Sequence, residues 1–133
     1  MKPIVSSGKR KTAVARAVLT DGTGRITING KTLIAIQSDF IRLKAAEPLT
    51  IAGDIVRHVT IAVRVRGGGP TSQADAVRLA IAKGIVAFTK DKKVEKTFLD
   101  YDRTLLVADV RRKETRKPNA HGKARAKVQK SYR

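Results

Sequence analysis

The chain has 133 residues, with 29 Lys and Arg against 11 Asp and Glu, a formal net charge of +18 and a pI near 11.0. Such a basic balance suits a nucleic-acid binder, and the length allows one modest core. Absence of cysteine excludes disulfides, thiolate metal sites and cysteine nucleophiles. No stretch approaches the roughly 18 apolar residues of a spanning helix, and the opening MKPIVSSGKRKT lacks the apolar run of a secretory signal. A cytosolic chain without a membrane partner is expected.

Small and branched residues dominate from Arg10 to Leu19, with Val14 and Val18 on one side and Ala13, Ala15, Ala17 and Leu19 on the other. Apolar residues on both sides predict a central strand. Asp21-Gly22-Thr23-Gly24 is turn chemistry, and Arg25-Ile26-Thr27-Ile28 alternates before Asn29-Gly30, which predicts a hairpin between these first two strands. Thr32 to Ile36 is ambiguous. Ser38 is placed to cap a helix through Ala46 that ends at Glu47-Pro48, followed by a short helix or turn to Gly53. His58 to Arg66 alternates strictly, with Val59, Ile61, Val63 and Val65 on one face of a strand.

Gly67-Gly68-Gly69-Pro70 ends that strand and opens the best helix. Ser72 and Asp75 have capping-box-like spacing. Ala74, Val77, Ile81, Ile85 and Phe88 form its apolar stripe, with Arg78 and Lys83 read as lying off it. Ala80, Ala82 and Gly84 keep the helix slim enough to lie close on a sheet. A short amphipathic helix is predicted over Asp91 to Leu99, with Val94 and Phe98 four apart, and a last strand over Leu105-Leu106-Val107. The fold class is therefore α+β, a single sheet with helices packed on one face. Residues 1–109 are read as the globular domain and 110–133 as an extended basic tail.

That tail, VRRKETRKPNAHGKARAKVQKSYR, holds ten Lys or Arg and one Glu, and its only large apolar side chains are Val110, Val128 and Tyr132. It cannot bury enough surface to offset its ordering entropy, so it is expected to order only against a polyanion. Other chemistries are thin. Neither Gly67 onward nor Gly8-Lys9-Arg10 supplies the Lys-Ser/Thr of a P-loop, and the dinucleotide G-x-G-x-x-G is missing. The triple glycine instead lets one backbone approach another. His58 and His121 have no ligand-spaced partner. Asp100 and Asp102, beside Arg103, suit capping or ion pairing better than acid–base work. No catalytic residue, metal, cofactor or small-molecule substrate is expected.

The block Ser7-Gly8-Lys9-Arg10-Lys11-Thr12-Ala13-Val14-Ala15-Arg16-Ala17 is the first of three matching segments. The others are Gly67-Gly68-Gly69-Pro70-Thr71-Ser72-Gln73-Ala74-Asp75-Ala76 with Ala82-Lys83-Gly84-Ile85, and the ending Lys130-Ser131-Tyr132-Arg133. Together they resemble the small ribosomal subunit protein nine family, of archaeal type. The resemblance implies a fold shared with the second domain of small-subunit protein five, with a left-handed β-α-β crossover where patterning alone suggests the common right hand. It also implies a structural role in translation, in the head of the small subunit among neighbouring small-subunit proteins. There the tail threads through ribosomal RNA to the anticodon stem-loop of the peptidyl-site tRNA. The tRNA-binding residues would be Lys130, Ser131, Tyr132 and Arg133. The rRNA-binding residues would be Lys9, Arg10, Lys11, Arg16, Arg64, Arg66, Gly67, Gly68, Gly69, Gln73, Lys83, Arg111, Arg112, Lys113, Arg116, Lys117, Lys123, Arg125 and Lys127. Two rival classes fit less well. The protein cofactor of an RNA-processing ribozyme reads RNA from a basic helix, and a DNA-compacting protein shows minor-groove wedges that this chain lacks.

Overall fold

The computed structural model describes residues 2–120 together with residues 124 and 125. In chain order it comprises β1 (Ile4–Arg10), β2 (Ala13–Asp21), β3 (Ile26–Ile28), β4 (Lys31–Thr32), α1 (Asp39–Ala52), β5 (Val59–Arg66), α2 (Pro70–Thr89) and α3 (Lys92–Tyr101). Short 3-10 helices cover Leu33–Ala35, Gly53–His58 and Arg103–Leu105. The strands form one mixed sheet in the order β1-β2-β5-β3-β4. Its pairs are antiparallel except β3 with β5, which run parallel and are connected through α1. The class is α+β, as expected.

Burial alternates along the central strands. Ala13, Ala15, Ala17 and Leu19 of β2 and Val59, Ile61, Val63 and Val65 of β5 are buried, while Arg16, Val18, Ala62, Arg64 and Arg66 point away and are exposed. α2 lies across β1 and β2 with α1 beside it. Its stripe of Ala74, Val77, Ile81 and Ile85 is buried as predicted. Phe98 of α3 and Leu105 close the core at its far end, both fully buried.

Small residues set how close α2 lies. A Cβ on Gly8 of β1 would stand 2.2 Å from the Ala76 carbonyl oxygen and 2.7 Å from the Ala80 nitrogen, and one on Gly84 would meet Leu19 at 2.3 Å. Ser6, on the same inward row of β1, donates its hydroxyl to the Ala80 carbonyl at 2.7 Å. Helix backbone thus rests almost directly on strand backbone. This also explains why no strand was predicted over Ile4–Arg10. Of its inward positions Ile4, Ser6, Gly8 and Arg10, only Ile4 is large and apolar, because Ser6 and Gly8 lie beneath α2 and Arg10 is ion-paired, so the apolar alternation that signals a strand is missing.

Several expectations are corrected. The predicted hairpin between the strands around Ala13–Leu19 and Arg25–Ile28 does not form, because β5 lies between β2 and β3. β2 instead turns back on β1 through Lys11-Thr12, with Lys11 at φ 53°. The Asp21–Gly24 segment crosses the start of β5, where the Gly22 nitrogen donates to the His58 carbonyl at 3.0 Å. The helix expected to stop at Glu47-Pro48 runs on to Ala52. Pro48 costs the helix the bond its nitrogen would make to the Lys44 carbonyl, and its burial against the core with Ala45 and Ala52 offsets that loss. Ser38 holds the N-cap position without a side-chain cap bond. Gly69 caps α2, with Pro70 in its first turn, so the Ser72–Asp75 capping box is not used. Leu105-Leu106-Val107 is no strand: Asp102 accepts from the Thr104 nitrogen at 2.8 Å and winds Arg103–Leu105 into a 3-10 turn.

Candidate nucleic-acid interface

The outward sheet face is built in cross-strand rows. Ser7, Arg16 and Arg64 are register partners across β1, β2 and β5, and the next row is Lys9, Val14 and Arg66. On the other flank Val5, Val18, Ala62 and Thr27 make an uncharged row. Like charges directly opposite on a sheet repel, and here Arg16 faces Arg64. The only acidic residue of the five strands is Asp21, which ends β2 in register with the inward-facing Val59. This face therefore carries a field of unbalanced positive charge, suited to phosphates that arginine's planar fork can grip at two oxygens.

A groove lined by Val14, Arg16, Asn29, Gly30, Arg64, Val65 and Arg66 runs over this face. The Asn29-Gly30 turn, with φ of 51° and 80°, borders it. Asn29 extends the sheet with its side chain: its amide nitrogen donates to the Val65 carbonyl at 3.1 Å and its amide oxygen accepts from the Val65 nitrogen at 2.9 Å. A second concavity, lined by Lys9, Lys11, Thr12, Val14, Arg111, Arg112 and Lys113, joins the face to the root of the tail. Arg112 secures that junction by donating to the Lys11 carbonyl at 3.0 Å.

Other predicted site residues sit elsewhere. Arg10 points inward and pairs with Asp109 at 2.6 Å and with Asp75 at 3.8 Å. Asp109 also holds Arg111 at 2.7 Å. Hydrogen bonds from Arg111, with Arg10 alongside, keep the Asp109 carboxyl well below the usual carboxylate range. Gly67 and Gly68, at φ of 78° and 67°, lie against Thr12 and Ala13. A Cβ on Gly67 would be 2.7 Å from the Thr12 carbonyl oxygen, the backbone approach expected of the triple glycine, whereas one on Gly69 would meet nothing within 4 Å. Gln73 donates to the Gly67 carbonyl at 3.1 Å and braces that turn. Lys83 is half-buried on α2, in the helical layer. Arg116 and Lys117 are exposed beyond Arg112 and Lys113, and Arg125 pairs with Glu114. Lys123, Lys127, Lys130, Ser131, Tyr132 and Arg133 lie outside the described residues.

Arg78 lies on the buried side of α2, not off the apolar stripe as its charge suggests. It stands four after Ala74 and three before Ile81 and is only 6% exposed. Its guanidinium meets Glu47 of α1 at 2.5 Å and Asp102 at 2.9 Å, and donates to the Thr104 hydroxyl at 2.8 Å. Burial disfavours charge on both partners. For Asp102 the hydrogen bonds from Thr104 and Arg78 outweigh it and pull the carboxyl down to about 2. Arg78, read as a helix cation off the stripe, is thus a buried tie between α1, α2 and the turn from which the tail departs. Its i, i+4 spacing from Ala74 was the available signal.

Among the described residues no helix is long and apolar enough to cross a membrane, and no group of three or more His, Cys, Asp or Glu could hold a metal ion. Residues 8–133 match the family Ribosomal protein S9/S16. The chain belongs to that family. It is 51% identical, over the full length of both chains, to the small ribosomal subunit protein uS9 of Thermoplasma volcanium. It is 47% identical to the uS9 protein of Methanococcus vannielii and 46% identical to that of Methanococcus maripaludis, again over both whole chains. These are archaeal sequences, in line with the archaeal type expected. As a member of the S9/S16 family the chain is a structural ribosomal protein of the small subunit, not an enzyme, and it works in translation in the cytoplasmic ribosome.

Proposed function

We propose that this protein binds ribosomal RNA in the head of the small subunit through its sheet face and tail root, and contacts the peptidyl-site tRNA through Lys130, Ser131, Tyr132 and Arg133. The observation that carries the rRNA reading is the row of Arg16 opposite Arg64, next to Lys9 and Arg66, on a face without a strand carboxylate. Concentrated positive charge without internal partners is retained where an external polyanion neutralises it. Residues 1–109 act as the anchor and 110–133 as the extension that follows the RNA. The tRNA contact and the left hand of the β3–α1–β5 connection rest on the family likeness and the Lys-Ser-Tyr-Arg ending.

Binding to small-subunit rRNA is tested first. With about 6–10 phosphates neutralised, affinity falls by about three to five orders of magnitude between 50 and 200 mM salt. Affinity nearly independent of salt sinks the reading. Sedimentation of the tagged protein with chromosome or with a ribozyme RNA, rather than with small subunits, points to the rival classes. For the tip, subunits reconstituted with protein lacking Tyr132 and Arg133 should assemble yet bind peptidyl-site tRNA more weakly in a filter assay. Unchanged tRNA affinity, or failed assembly, makes the tip an rRNA anchor.

A further inference from the structure

The geometry points to the class of RNA that the open sheet face takes: the sugar–phosphate surface of a double helix, not unpaired bases. This deepens, and rests on, the rRNA reading above.

Sheets that bind single-stranded RNA present aromatic side chains on which bases stack, together with polar groups that read base edges. This face has no aromatic platform. Phe40, Phe88, Phe98 and Tyr101 all lie on helices, and no strand residue is aromatic. Asn29 borders the groove, but one hydrogen and one lone pair of its amide are already committed to the Val65 backbone, which fixes it as part of the sheet. What remains suits a duplex. Lys9 and Arg66 stand two strands apart, about 10 Å, and Arg16 and Arg64 lie one row further along, about 7 Å away. The four cations line an open groove and its edge, spread widely enough to span several phosphates. Beside them the row Val5, Val18 and Ala62 is small and uncharged, with Val5 66% exposed. Ser7 extends the arginine row, and the Thr20–Thr60 pair lies beyond the uncharged row. Hydroxyls and small apolar groups flanking arginines match the wide, shallow minor groove of A-form RNA, where ribose 2′-hydroxyls line the surface, and they distinguish it from DNA.

The test uses the full-length chain and three probes of equal phosphate number: an RNA duplex, a DNA duplex and an unstructured RNA strand. Two variants are compared with the parent, R16T/R64T on the face and R116T/K117T in the tail. Both pairs are exposed, and thermal midpoints no lower than the parent's confirm that each variant folds. R16T/R64T should weaken RNA-duplex binding by about tenfold or more and lower its salt slope by about two. Its effect on the single strand should be no greater than that of the tail variant, which weakens all three probes alike. Equal or greater loss for the single strand overturns the proposal, as does equal loss for the DNA and RNA duplexes. Unchanged affinity for every probe also overturns it and leaves the face to an acidic protein neighbour. If the unaltered protein binds small-subunit rRNA but fails these comparisons, only this inference falls. If it binds no RNA at all, the ribosomal reading falls with it.

Discussion

Cations on the two sides of the sheet live under different rules. On the helix side they meet carboxylates: Arg78 lies between Glu47 and Asp102, Arg10 reaches Asp109 and Asp75, and Lys44 reaches Asp75 at 3.2 Å. On the open side Arg16 faces Arg64, and Lys9 and Arg66 flank Val14. Net charge alone does not separate these groups. The first holds helices and tail root to the core, where breaking a contact exposes an uncompensated charge. The second repels itself across the sheet, a repulsion that the proposed rRNA contact would relieve. The same division holds for side-chain size. The helix side admits almost nothing beyond glycine, alanine and serine where α2 touches β1, whereas the open side has room to spare.

The comparison is broken most severely by adding one methyl group on the helix side. Gly8→Ala drives its Cβ into the α2 backbone at the Ala76 carbonyl, and neither partner is a movable side-chain end. A loss of about 3 kcal/mol or more is expected by urea unfolding. A cost below about 1 kcal/mol would mean that α2 does not lie on β1 as described. Arg78→Ala comes next, at about 2–3 kcal/mol. It strands Glu47 and Asp102, and their partial exposure keeps the loss under the value for a fully buried pair. Arg78→Lys should recover only part of this, since a single ammonium cannot hold both carboxylates and Thr104 at once.

Acid sharpens the same contrast. The folded value of Asp102, about 2, lies below its ordinary 3.8. Between these values the unfolded chain binds more protons, so stability rises with pH there. The contribution is complete above about pH 4 and is lost as pH falls through about 2. Asp102→Asn should flatten the melting temperature across that window and leave its shape unaltered near neutrality. An unchanged acid limb in the variant would show that Asp102 is not held by Arg78 and Thr104 in solution. The smallest effect has the opposite sign. Arg64→Thr removes one of two facing arginines and should raise stability by about 0.5 kcal/mol at low salt, fading at high salt as screening takes over. It should do so while weakening RNA-duplex binding. A destabilised Arg64→Thr protein would place Arg64 among the structural cations instead.

Local patterning carried much of this. β5, the body of α2 and α3 were legible because their apolar residues repeat at strand or helix spacing over long enough stretches to be unambiguous. The inward glycines and alanines were visible too, as the sign of a slim helix on a sheet. Charge density marked the chain as a polyanion binder, and the blocks around Gly8, Gly67 and the ending marked its family. Composition and periodicity are additive properties of neighbouring residues, so a sequence displays them directly.

What the tertiary structure decided are the relations between residues far apart in the chain. β1 is a strand because Ser6 and Gly8 fit beneath α2, a fit that local hydrophobicity cannot report. β3 pairs with β5 and not with β2, because two long antiparallel partners already occupy both edges of β2. Arg78 became a buried tie and Arg16 one of two facing cations on the open sheet face through the positions of Glu47, Asp102 and Arg64, at least 24 residues away in each case. An arginine's role depends on whether a carboxylate reaches it, and only the packed chain determines which charges come within that range.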